Sequence, residues 1–126
     1  MIIDFEEKYY PEIYSILKKA GLDDTDIHVL EYETKLLVND ELDGFYTAQK
    51  LDIFYNIHHF YVKKTKNVWE LTNYAFKRAK ELWCMWGLIH TPKGSRLDSW
   101  VKGLCRHRKL IQLQSPEEFN FYKVEI

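Results

Sequence analysis

Three features of the sequence predict an α+β fold in one small domain. These are a helical period with end signals near the N-terminus, alternating β-rich runs after it, and a late amphipathic helix followed by a hairpin pattern. The 126 residues are 46% apolar, enough for one hydrophobic core and too few for two ordinary domains. The single domain, 1–126, divides by composition into an acidic α/β half, 1–60, and a basic helical half, 61–126, that ends in a hairpin.

Residues 5–20 have the helical period, with Ile13, Ile16, Leu17 and Ala20 on the inner stripe. Pro11 suits the first turn and Gly21 the position just past the end. Asp23, Asp24 and Asp26 then form a polar connection into a β-rich run over 27–32, continued by a short strand at 35–38. The segment 39–44 is a turn by composition, and 45–48 returns as a third strand, giving a small antiparallel unit. Between 49 and 62 two periods compete: Leu51, Phe54, Ile57, His58 and Tyr61 suit a helix, while Leu51, Ile53, Tyr55 and Ile57 suit a strand. Length and the absence of turn residues favour the helix.

A helix over 67–88 has the stripe Val68, Leu71, Ala75, Ala79, Leu82 and Trp86, widened by Trp69, Phe76 and Trp83, with Asn67 as N-cap and Gly87 as terminator. The loop 90–94 follows. A second helix spans 95 or 96 to about 109, with Leu97, Val101 and Leu104 on one line and Gly103 weakening its interior. Strand-like runs at 110–113 and 119–126 then form a hairpin across 114–118, although Ser115-Pro116-Glu117-Glu118 is also a helix-start signature.

The net charge of −1 conceals segregation. Residues 1–60 hold five Lys+Arg against thirteen Asp+Glu, a charge of −8; residues 61–110 hold twelve against three, +9; residues 111–126 carry −2. A basic block that also contains all four tryptophans suggests an anionic partner. On a helical wheel Ser95, Ser99, Lys102, Arg106 and Lys109 fall together, opposite Leu97, Val101 and Leu104. With the hairpin after it, this helix resembles the recognition helix and wing of winged helix-turn-helix proteins, over about 68–126. The departure is the connection 87–94, where that motif has a turn of three or four residues.

The resemblance implies a small non-catalytic nucleic-acid-binding protein, DNA-binding through Lys93, Arg96, Ser99, Trp100, Lys102, Arg106 and Lys109. The cations would neutralise phosphates, Arg96 or Arg106 would read guanine, and Trp100 would stack on a base. The alternative is a protein-interaction module, such as a small inhibitor or adaptor of phage or mobile-element origin, that binds a host protein through its acidic half. The expected partner is thus a nucleic acid or a nucleic-acid-processing protein, with the chain a monomer or homodimer.

Other classes are set aside on spacing. Cys84, His90, Cys105 and His107 are zinc-ligand types, but C-x5-H-x14-C-x-H is not a pair of short knuckles. Asn39, Glu41, Asp43 and Gly44 match the start of a calcium loop whose twelfth position is Lys50 instead of Glu. No Gly-rich phosphate loop, nucleophile elbow or H-E-x-x-H occurs, and His58-His59 does not make a dyad on a helix, so no enzyme, metal or cofactor is expected. Two cysteines, no leader ahead of Asp4 and uncharged runs no longer than 82–92 give the expectation of a cytoplasmic protein with no membrane span.

Overall fold

The computed structural model describes residues 1–22, 32–114 and 118–126. The elements are β1 (Ile2–Asp4), α1 (Tyr10–Lys19), β2 (Glu33–Asn39), β3 (Glu41–Leu51), β4 (Phe54–Val62), α2 (Val68–Glu81), β5 (Trp86–Pro92), α3 (Arg96–Gly103), β6 (Leu110–Leu113) and β7 (Phe119–Glu125). Single 3-10 turns stand at Glu7–Tyr9, Thr65–Asn67 and Leu104–Arg106. The strands form one seven-stranded sheet in the order β1-β2-β3-β4-β5-β7-β6. Among the described residues no helix is long and apolar enough to cross a membrane.

The chain forms two compact units. In the first, 1–49 with 59–74, β1 pairs antiparallel with β2 and β2 with β3, around a tight turn in which Asp40 is left-handed at φ 70. Ile13 and Leu17 on α1 bury against Leu36, Leu42 and Phe45 in the core of this unit. The predicted end signals of α1 hold: Pro11 lies in its first turn, and Gly21 follows it at φ 70. The Gly21 amide donates to Lys18 O at 3.0 Å and the Leu22 amide to Leu17 O at 2.9 Å, the paired bonds of a Schellman end.

In the second unit, 50–58 with 75–126, β5 is the inner strand. It runs parallel to β4 and antiparallel to β7, and β6 pairs antiparallel with the far side of β7. A parallel pair needs a crossover, and the chain supplies α2 between β4 and β5. Burial along β4 alternates, with Tyr55, Ile57 and His59 buried and their neighbours only partly so.

Several expectations are corrected by this arrangement. The helix expected over 49–62 is the end of β3, a turn and β4. The helix expected over 67–88 stops at Glu81, and Trp86, Gly87 and Leu88 belong to β5. Its terminator is not Gly87 but Trp83, which adopts φ 61 while its amide donates to Lys80 O at 3.0 Å and the Cys84 amide to Ala79 O at 2.9 Å. This is the Schellman geometry of Gly21 built with a bulky aromatic, a left-handed placement that costs about 1–2 kcal/mol. Trp69 and Trp83, expected in the core, are 47% and 85% exposed. The third strand expected at 45–48 runs over 41–51, and the late helix ends at Gly103 instead of continuing to 109.

The winged-helix-like reading is overturned. Its tri-helical core does not exist, because a sheet strand separates α2 from α3, and the expected wing β6–β7 is part of the seven-stranded sheet. The strand expected at 27–32 lies outside the described residues apart from Tyr32, as does the alternative helix start at Pro116.

Candidate active site

The β4–β5 register runs from Phe54–Trp86 to Ile57–Ile89. Along β5, Ile89 and Thr91 are buried and His90 between them is half-buried, so His90 lies on the opposite face of the strand. Alternation puts His58, next after the last registered pair, on the His90 face. The two imidazoles are 5.9 Å apart, edge to face. Phe121, opposite His90 in the β5–β7 register, stacks on it at 6.1 Å, and Phe119 meets it edge-on at 5.7 Å. Burial among these rings, then the nearby His58, lowers the His90 pKa below that of a free imidazole. The neutral ring can accept a proton at neutral pH.

The other face of β5 and β7 carries a buried polar cluster centred on α3. Asp98 is 3% exposed. Its Oδ1 accepts hydrogen bonds from Thr91 Oγ1 at 2.7 Å, Asn120 Nδ2 at 3.0 Å and Tyr122 Oη at 2.7 Å, while Lys102 Nζ lies 3.2 Å from Oδ2. Burial pushes the carboxyl pKa up, but the hydrogen bonds from Thr91, Asn120, Tyr122 and Lys102 outweigh it and hold the group well below the ordinary carboxylate range. Tyr122 is pushed up to about 12 by burial and by its bond to this carboxylate. Ser95 caps α3 by accepting the Asp98 amide at 3.1 Å. Asp98 therefore joins α3 to the two strands that present His90 and the phenylalanines.

In the other unit, the connection from β4 to α2 is Lys63-Lys64-Thr65-Lys66-Asn67. Lys64 is extended, with φ −124 and ψ 132; a 3-10 turn follows and feeds the fourteen-residue α2. Lys63 Nζ donates to Glu41 Oε1 at 3.1 Å, and that bond with the carboxylate's charge raises the Lys63 pKa. Lys64 and Lys66 are exposed. Cationic side chains ahead of a helix N-terminus attract anions. No glycine stands here to let a phosphate approach the backbone, so the attraction comes from lysine side chains.

The residues singled out from the sequence fall in the second unit. Lys93 is exposed in the β5–α3 turn, where its amide donates to Glu118 O; Arg96 and Ser99 are exposed on α3, and Trp100 is half-buried. Lys102 reaches Asp98, while Arg106 and Lys109 lie beyond the end of α3, so the single cationic face of the helical wheel does not form. Sequence reasoning missed His58 with His90 because a helix was assigned to 49–62, and Asp98 because it sits among polar residues. The pattern that could have found the connection is three lysines in four residues directly before a helix. Among the described residues no group of three metal-ligating side chains forms.

No family model matches this chain, and no curated protein matches its sequence. Solved structures do match it over almost its whole length. A Bacillus subtilis acetyltransferase in complex with CoA is 19% identical with a TM-score of 0.74, covering 99% of this chain and 97% of that one. A GNAT-family acetyltransferase from Staphylococcus aureus is 12% identical with a TM-score of 0.73, covering 99% and 98%. The ribosomal-protein-S18-alanine N-acetyltransferase of Escherichia coli is 8% identical with a TM-score of 0.71, covering 99% and 90%. These neighbours overturn the reading of a non-catalytic nucleic-acid-binding protein, the inhibitor or adaptor alternative, and the expectation of no enzyme. The chain has the fold of the GNAT acetyltransferases.

Proposed function

We propose that this protein is an acyl-CoA-dependent N-acyltransferase acting on an amine. The observation that carries the reading is the likeness, along the whole chain, to acetyltransferases of the same length. The residues present fit a polyanionic acyl-CoA: exposed Lys64 and Lys66, ahead of the α2 N-terminus, suit its phosphates. The thioester supplies the acyl group. The amine nitrogen forms a bond to its carbonyl carbon, the carbon–sulfur bond breaks, and the sulfur leaves as the CoA thiolate, which takes up the second proton lost by the nitrogen and departs as the thiol.

An amine is protonated at neutral pH and must lose a proton to react. His90, held neutral by burial, takes that proton, with His58 beside it and Phe119 and Phe121 shielding the ring from water. Asp98 does not touch the reacting atoms and acts as a positioning residue by fixing α3 to β5 and β7. A reducing cytoplasm suits Cys84, a buried thiol outside any disulfide.

The test is acetyl-CoA binding by calorimetry together with free-thiol release on a panel of primary amines, aminoglycosides and peptides with free N-termini. The wild type is expected to bind and to release CoA only with an amine present. His90→Gln should lower kcat/KM ~10²–10⁴-fold with binding retained. Lys64→Glu/Lys66→Glu should weaken acetyl-CoA binding more at low salt than at high. Absence of both binding and amine-dependent release refutes the proposal.

A further inference from the structure

One face of the sheet in the second unit is built of rings around His90. Alternation and register put His58, His90, Phe119 and Phe121 on it, with Leu88 two residues before His90 on β5 and Lys123 beside Leu88 on β7. All six are only partly buried, whereas Ile57, Ile89, Thr91 and Tyr122 on the opposite face, where Asp98 sits, are buried. The His90 ring centroid lies 5.7 Å from that of Phe119, 5.9 Å from that of His58 and 6.1 Å from that of Phe121, all contact distances for aromatic pairs. The rings thus make one accessible wall that includes the group able to accept a proton.

The charges on this face have an order. Lys123 stands two residues beyond Phe121, ~7 Å along the strand and within a Debye length of it, with its Nζ over the Trp86 ring at 4.3 Å. Glu125, the carboxylate that alternation puts on the same face of β7, is ~13 Å along the strand from Phe121, beyond that screening length. At the other end of β7, Glu118 and Lys93 are opposite in sign and start from hydrogen-bonded backbone positions, so they offset each other. The nearest unbalanced charge on the strand beside His90 is therefore positive.

We infer that the acceptor of the acyl group is an amine carried on a flat aromatic body, which Phe119 and Phe121 select while Lys123 turns polycations away. The inference rests on the reading of His90 as the group that takes the amine's proton. A polyamine or aminoglycoside brings further positive charges that need carboxylates near the reacting nitrogen, and the wall offers them rings and a lysine instead. An aromatic body covers the rings and removes its own apolar surface from water.

The test compares 2-phenylethylamine, n-butylamine and spermidine, which share the same reacting group, as acceptors from acetyl-CoA. The kcat/KM for 2-phenylethylamine is expected to exceed that of each of the others at least ~10-fold. Phe119→Ala should raise KM for 2-phenylethylamine ~10-fold and narrow its advantage over n-butylamine, a ratio that does not depend on how much of the variant folds. Lys123→Glu should raise kcat/KM for spermidine at least ~3-fold relative to that for 2-phenylethylamine, and salt should shrink the gain. A second readout needs no acyl donor: 2-phenylethylamine should shift the ring-proton NMR signals of His58 and His90, and spermidine should not. Transfer to spermidine or n-butylamine as efficient as to 2-phenylethylamine overturns the inference and leaves the acyl transfer standing. Histidine shifts without transfer to any amine uphold the aromatic site and refute the transfer, and unmoved histidine signals overturn the site itself.

Discussion

Replacing Asp98 with Asn keeps the shape of the side chain and removes its charge. In the native cluster one oxygen accepts from Thr91, Asn120 and Tyr122 at 2.7, 3.0 and 2.7 Å, and the other faces Lys102 at 3.2 Å. Hydrogen bonds to a charged group contribute about 1.5–3 kcal/mol each against about 1 for neutral pairs, and an orphaned buried donor costs about 1–3 kcal/mol. An amide oxygen serves two of the three donors well, and its NH2 turns toward Lys102. The net loss is therefore about 3–5 kcal/mol, the range for breaking a buried charged cluster. At ~2 cal/mol/K of unfolding entropy per residue, that lowers the melting temperature by ~12–20 °C.

The sign of the pH dependence follows from the depressed carboxyl pKa. Stability from the ionised group is fully present above the unfolded value of ~3.9 and is lost as pH falls through the folded one. The gap between wild type and Asp98→Asn should be flat above pH ~5 and close below pH ~4. Calorimetric melting of both proteins from neutral to acid pH measures it. A gap under ~1 kcal/mol at neutral pH, or one that persists undiminished into strong acid, refutes the assignment of Asp98 as the charged hub of the cluster.

Tyr122 should titrate near pH 12, above the ~10 of a free tyrosine, and in a Tyr122→Phe variant its contribution to the 295 nm absorbance step at that pH should vanish. Since its pKa is raised, the stability it contributes is present below pH ~10 and lost as pH rises through about 12. His90, lowered by burial, should remain neutral below the ~6.5 of free imidazole; histidine NMR titration checks this, and the acid limb of kcat/KM should lie at that lower pH. Gly44→Ala should destabilise by about 1–3 kcal/mol, because a Cβ there would stand 2.7 Å from Tyr61 O and 3.2 Å from Val62 Cγ1; an unchanged denaturant midpoint would show that β4 yields without cost.

How far the fold can be read from the sequence varies element by element for physical reasons. Helix α1 is legible because its stripe and both end signals agree, and the run Leu110–Leu113 with Phe119–Glu125 is legible because β-rich segments flank a turn composition. Strand β4 is not, since its apolar residues satisfy both periods and its preceding turn uses Asp52 at φ 56 where glycine would have marked a break. The end of α2 is hidden for the same reason, with Trp83 in the position that glycine usually signals. The site is the least legible part. Asp98 appears as a surface charge until donors 7, 22 and 24 residues away converge on it, and His58 meets His90 only once the two strands pair.

The place of β5 bears on how the chain is made. Ile89 pairs with Ile57 and with Tyr122, each ~30 residues distant along the chain, one made earlier and one later. During synthesis β5 can dock on β4 as soon as α2 has turned the chain back, yet its other edge stays bare until β7 emerges. A bare inner edge rich in apolar side chains invites pairing with a neighbouring nascent chain. Premature termination before Phe119 would therefore yield a sticky fragment instead of a smaller folded one, and an adequate supply of chaperone matters most between the emergence of β5 and that of β7.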